Sequence, residues 1–132
     1  MNTTANATVA TMKAEMRDVL ENNILRFWID QMTDHEQGGF YGRMDGHGQL
    51  HREADKGAIL NARILWAFSA SYRVLKDWKE TPVRTDLSAL LQMATRAKRY
   101  VIDHFIDHEP YFIFTFFYFD FKFLIFITFF LN

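Results

Sequence analysis
The eight residues from Ile29, IDQMTDHE, return at Ile102 as IDHFIDHE, identical at five positions and offset by 73 residues. An internal repeat constrains a fold more than composition does. Each unit has faces that it cannot bury alone, so the units stack or close into a circle. The chain between the two copies shows what one unit contains. Residues 12–32 carry Met16, Val19, Leu20, Ile24, Phe27, Trp28 and Met32 at helical spacing, which predicts a helix with one buried stripe. DHEQGGFYGRMDGHG follows, where paired glycines permit positive φ and Asp45-Gly46 is a hairpin-turn signal. A small β-hairpin loop is expected over residues 38–52. Residues 55–76 predict a second helix, apolar over most of its circumference and therefore buried on several sides. DWKETPVR, with Pro82, is a connector, and residues 85–106 predict a third helix.

With 132 residues the chain has room for one modest domain. Its net charge of −1 gives no reason to expect a nucleic-acid partner. Absence of cysteine rules out disulfides and thiolate metal sites and fits a reducing, cytoplasmic setting. The start, MNTTANATVAT, lacks the apolar core of a secretory signal, and disorder is expected over residues 1–11.

The second copy of the repeat breaks where its glycine turn is due. QGGFYG follows the first copy, PYFIFT follows the second, and ten of the fourteen phenylalanines lie after Pro110. Three readings fit residues 110–132. As a helix the segment would span ~34 Å, long enough for a bilayer core. Its fifteen Phe, Ile and Leu favour insertion by roughly 5–9 kcal/mol, against a cost of roughly 5–7 for Asp120 and Lys122. The alternation in FDFKF also suits an aggregation-prone strand. Finally, the residue types are those of codons rich in A and T, as a shifted reading frame or truncation would give. The break in mid-repeat favours this third reading.

Arg63 is the most informative single residue, because ILNARILWAF is otherwise an apolar helix. A guanidinium keeps its proton, so it reaches solvent, pairs with a carboxylate, or meets the oxygens of a ligand. Lys56 and Trp66 are expected on the same helix face, and an aromatic beside a cation suits a sugar ring, although Trp66 also suits a core. His104 and His108 have the four-residue spacing of a helical zinc pair, but no third ligand is evident and histidines near a helix C-terminus also favour its dipole. His47 and His51 fall in the hairpin. Asp34, Glu36 and Asp45 sit in turns where Asp is common for backbone reasons. No carboxylate pair of the kind a glycoside hydrolase needs can be identified.

Three stretches in order, NILRFWIDQMTDHEQGGFYGRMDGHG, ADKGAILNARILWAFSASYR and RAKRYVIDHFIDHE, resemble the N-terminus of the N-acylglucosamine 2-epimerase family. The resemblance covers about residues 12–109 and fails from Pro110, where the family continues Gly-Gly-x-Tyr-Trp. It implies a mainly α fold, the N-terminal portion of an (α/α)6 barrel with a short β-hairpin loop. Residues 1–11 would be a disordered start, 12–109 an incomplete barrel and 110–132 an aberrant tail. It implies epimerisation at C2 of a reducing-end aldose, in a cellobiose-type disaccharide or N-acylglucosamine, by proton removal through a cis-enediol. Arg63 matches an arginine that binds substrate oxygens, with Trp66 beside it. The family's catalytic histidines lie in later hairpins, and His35, His47, His51, His104 and His108 match none of them, so no catalytic residue is assigned. No cofactor or metal is expected. The expected partner is a small sugar, with neither nucleic acid nor membrane, and the isolated chain is expected to be inactive and to self-associate. A helical module anchored to a membrane by residues 110–132 is the alternative.

Overall fold
The computed structural model describes residues 3–78 and 83–106, with side chains from residue 7 onward. The Phe-rich segment 110–132, its frame, anchor and strand readings, and His108 lie outside the described residues. Four α-helices carry the fold: α1 (Thr3–Val19), α2 (Arg26–Asp30), α3 (Ala58–Lys76) and α4 (Leu87–Phe105). A π-helical turn, Leu20–Leu25, joins α1 to α2 without a break in the backbone. Among the described residues no helix is long and apolar enough to cross a membrane.

The second and third expected helices are present, each trimmed at its start. Asp86 caps α4 by accepting from the Ser88 amide at 2.8 Å, satisfying a donor that the first turn would otherwise leave open. Helices α3 and α4 pack through Ile64, Leu65, Phe68 and Leu75 on one and Leu90, Ala94 and Ala97 on the other, all buried. The residues of α4 recur at i, i+4 and i+7, and its two alanines permit a close approach.

The first helix departs from the sequence reading in two ways. It already begins at Thr3, inside the segment expected to be disordered. Residues 3–11 hold three alanines and neither glycine nor proline, so nothing in the segment breaks a helix. Its expected apolar stripe is split: Met16 is 71% exposed, Val19 50% and Ile24 48%, whereas Leu20, Phe27 and Trp28 pack against the core and Met32 is buried in it. Arg17 and Glu21 are buried instead. The Glu21 carboxylate bonds Arg17 and accepts from the amides of Arg84 at 2.7 Å and Thr85 at 2.8 Å, so it ties the first helix to the entry of α4. The Arg17 guanidinium lies 5.1 Å from the centre of the Trp78 ring. The π turn contains Glu21 and alters the helical register; Leu25 at its end faces the core, and so does Met32 further on.

Residues 31–57 form the connection between α2 and α3. The expected hairpin takes the form of two single antiparallel bridges, Thr33 with Phe40 and Met44 with Leu50; no extended strand forms among the described residues. Side-chain burial anchors the loop. Phe40 is fully buried, stacks on Phe68 at 6.3 Å and meets Trp28 edge-on at 6.3 Å. Asp34 organises the polar side. Its Oδ1 accepts from the Glu36 and Gln37 amides at 2.9 and 3.0 Å, and its Oδ2 pairs with Lys56. Lys56 also donates to the Gly38 carbonyl at 2.8 Å and lies 5.2 Å from the Tyr100 ring centre. Both side chains of the pair are almost wholly buried. Arg96 of α4 donates to the Asp34 carbonyl at 2.7 Å, which fastens the loop to the helix. Gly39, at φ +61°, lies against Tyr100; an added Cβ would come within 2.6 Å of the ring.

Gly39→Ala combines a disfavoured φ with that clash and is expected to cost about 2 kcal/mol in urea unfolding. Shrinking the ring in a Gly39→Ala/Tyr100→Leu pair should cost less than the sum of the two single changes. Glu21→Gln removes the carboxylate that bonds the buried Arg17 and the Arg84 and Thr85 amides, and should cost about 3 kcal/mol. Burial opposes ionisation of Glu21, but bonds from Arg17 and the Thr85 and Arg84 amides outweigh it and hold the carboxyl below its ordinary value. A carboxyl with a lowered folded-state pKa stabilises fully above its unfolded pKa and ceases to do so as pH falls through the folded value. The wild-type advantage over Glu21→Gln should therefore be constant at neutral pH and shrink in acid below about pH 4.5.

Candidate active-site face
Helix α3 is apolar on two sides, and only one is covered. Asn61, Ile64, Leu65, Phe68, Ser71 and Leu75 face the loop and α4. Ile59, Arg63, Trp66, Ala67 and Val74 are exposed on the opposite side. They follow helical spacing from 59 through 63, 66 and 67 to 74, so they form one continuous stripe. Burial on several sides, as the sequence led us to expect, is realised on one side within the described residues.

Arg63 is the charged residue among these five, with exposed Arg73 at the edge of the stripe. The Arg63 guanidinium makes no hydrogen bond or ion pair among the described residues, so it is neither buried nor neutralised by a protein carboxylate. Trp66, one turn further on, is 48% exposed. A guanidinium presents five N–H donors in a fixed plane, and an indole offers a flat apolar surface. Side by side on a rigid helix they suit a ligand with many oxygens and an apolar ring face.

Lys56 does not share this stripe, which corrects the sequence reading. It precedes α3 and is buried in the pair with Asp34. Asp34, read from sequence as a turn residue, is that and more: its carboxylate serves both the turn and the buried cation. Burial opposes its ionisation, but bonds from Lys56 and from the Gln37 and Glu36 amides outweigh it and hold the carboxyl below the ordinary value. The joint appearance of an Asx turn and a lysine just before an apolar helix was the available signal.

His104 stacks on Tyr100 at 4.0 Å, and its Nδ1 lies 3.1 Å from the Tyr100 carbonyl. His51 lies 3.5 Å from Asp45, whose carboxylate accepts from the Gln49 and His47 amides. His35 and His47 are exposed in the loop. No group of three metal-ligating side chains forms among the described residues. Glu36 is exposed, 3.9 Å from Arg52, and Asp45 serves its own turn, so neither supplies a carboxylate to the Arg63 stripe.

No protein-family model matches the chain. Individual proteins do. The chain is 51% identical over 100 residues to a cellobiose 2-epimerase of Bacteroides fragilis, covering 74% of this chain and 22% of that protein. A cellobiose 2-epimerase of Ruminococcus albus is 36% identical over 98 residues, again with 74% of this chain and 22% of that protein. Among solved structures, the cellobiose 2-epimerase of Bacillus thermoamylovorans aligns with a TM-score of 0.65 and 41% identity, over 76% of this chain and 23% of that one. The chain thus spans about a fifth of the length of the curated relatives it matches. Its helices have the arrangement of part of an (α/α)6 barrel. Over the segment it shares with them, the chain is similar in sequence and in fold to the N-terminal part of cellobiose 2-epimerases.

Proposed function
We propose that the protein to which this segment belongs is a sugar 2-epimerase, and that the stripe of Arg63 and Trp66 faces its substrate. The observation that carries the reading is a guanidinium, unpaired among the described residues, beside an exposed indole on the open face of α3. Kinship with cellobiose 2-epimerases supports a disaccharide with a free reducing end as substrate.

The chemistry follows from the sugar. In the open-chain form the C2 proton lies next to the C1 carbonyl and is acidic for that reason. A base removes it, the electron pair forms the C1–C2 double bond of a cis-enediolate, and negative charge gathers on oxygen. Return of a proton to the other face of C2 gives the epimer. Arg63 stays protonated at any working pH, so it can hold the substrate oxygens and oppose the charge that grows on them. A fixed cation binds the enediolate more tightly than the neutral aldose, which lowers the barrier rather than merely filling the site. Trp66 would pack against a pyranose ring and set its position. Proton transfer is not assigned to any described histidine, since none matches the family's catalytic positions.

Two outcomes test this reading. Incubated with cellobiose and followed by HPLC, the 132-residue chain alone should give no glucosyl-mannose; steady production would contradict it. In a chimera carrying residues 12–106 in place of the matching segment of the Bacteroides fragilis enzyme, Arg63→Gln should lower kcat/KM for cellobiose about 10²–10³-fold, chiefly through kcat. Trp66→Ala in the same chimera should act mainly on KM. An Arg63→Gln chimera as active as its parent would remove Arg63 from the site.

A further inference from the structure
A groove of about 700 Å³ runs between the glycine turn and α4, and neither Arg63 nor Trp66 lines it. Arg96 and Arg99 of α4 and His35 of the loop border it. Arg96 is held in place by its bond to the Asp34 carbonyl at 2.7 Å, made through one of its five N–H donors. Arg99 is exposed and forms no ion pair or hydrogen bond among the described residues. Gly38 and Gly39 line the same groove at φ +78° and +61°, and their backbone amides donate to no protein acceptor among the described residues. Gly38 is partly exposed and Gly39 is buried against Tyr100, and turn amides without a protein acceptor favour anions. Gln92 and Thr95 add neutral donors, and Asp103 is the one carboxylate on the border.

We propose that this groove binds a phosphate-type oxyanion, free or carried on a small metabolite, between the guanidinia of Arg96 and Arg99 and the amides of Gly38 and Gly39. Planar guanidinium donors match phosphate oxygens in pairs, and Arg96 and Arg99 border the same groove. The inference stands independently of the sugar reading, because it uses none of the same residues.

Equilibrium dialysis of the full chain against radiolabelled inorganic phosphate, at constant ionic strength in chloride, tests it. Saturable binding of about one phosphate per chain is expected. Arg99→Gln, an exposed change, should weaken that binding about tenfold, whereas Arg43→Gln, an exposed loop arginine outside the groove, should leave it unchanged. Competition by an unlabelled hexose phosphate at lower concentration than inorganic phosphate would assign the ligand to a carried phosphate; equal competition would assign it to the free ion. Binding that fails to saturate, or that falls equally in both variants, would overturn the proposal.

Discussion
The buried pair of Asp34 and Lys56 is the interaction on which the rest of this structure depends. Two charges withdrawn from water cost several kcal/mol each unless every remaining valence is met. Here the valences are met with care. Asp34 accepts from two amides as well as from Lys56, and Lys56 reaches the Gly38 carbonyl and the face of Tyr100. One cation thereby joins both ends of the loop that links α2 to α3. It also fixes the chain just two residues ahead of Ala58, where α3 begins. The direction in which α3 presents Arg63 and Trp66 follows from that attachment.

A second constraint comes from what the described helices leave open. Ile59, Trp66 and Val74 on α3, Leu91 and Ile102 on α4, and Met12, Met16 and Val19 on α1 are large apolar side chains in contact with solvent. Apolar surface of this extent marks faces made for contact with other elements. Such faces suit an arc of an (α/α)6 barrel, in which each hairpin packs on its neighbours, and the matched relatives extend well beyond the segment they share with this chain. Arg63 is the charged member of the open face of α3.

Much of the fold was legible in the sequence, for physical reasons that can be named. The repeat announced a hairpin unit, the glycine pair marked the turn, and α3 and α4 followed from their 3.6-residue spacing. The buried face of α1 was not legible. Spacing alone cannot show that a glutamate will be buried because two amides, some sixty residues later, need an acceptor. Nor does it reveal the π turn, which shifts the register at Glu21 so that Leu25, and not Ile24, meets the core. Lys56 was misplaced because helical spacing was extended two residues past the true start of α3. Arg63 was singled out by its chemistry alone, and the structure adds that its helix face is open. The clamp on α4 was hidden, because Tyr100 and Arg96 read as ordinary helix residues until Gly39 and the Asp34 carbonyl come to rest on them.

A double-mutant cycle between Asp34 and Lys56, read by urea unfolding of Asp34→Asn, Lys56→Met and the combined variant, tests this account most directly. With the pair as the anchor, each single change strands a buried polar group, and the coupling between the two should reach about 2–3 kcal/mol. Additive losses, with no coupling beyond about 0.5 kcal/mol, would mean that the loop is held by Phe40 and its neighbours alone.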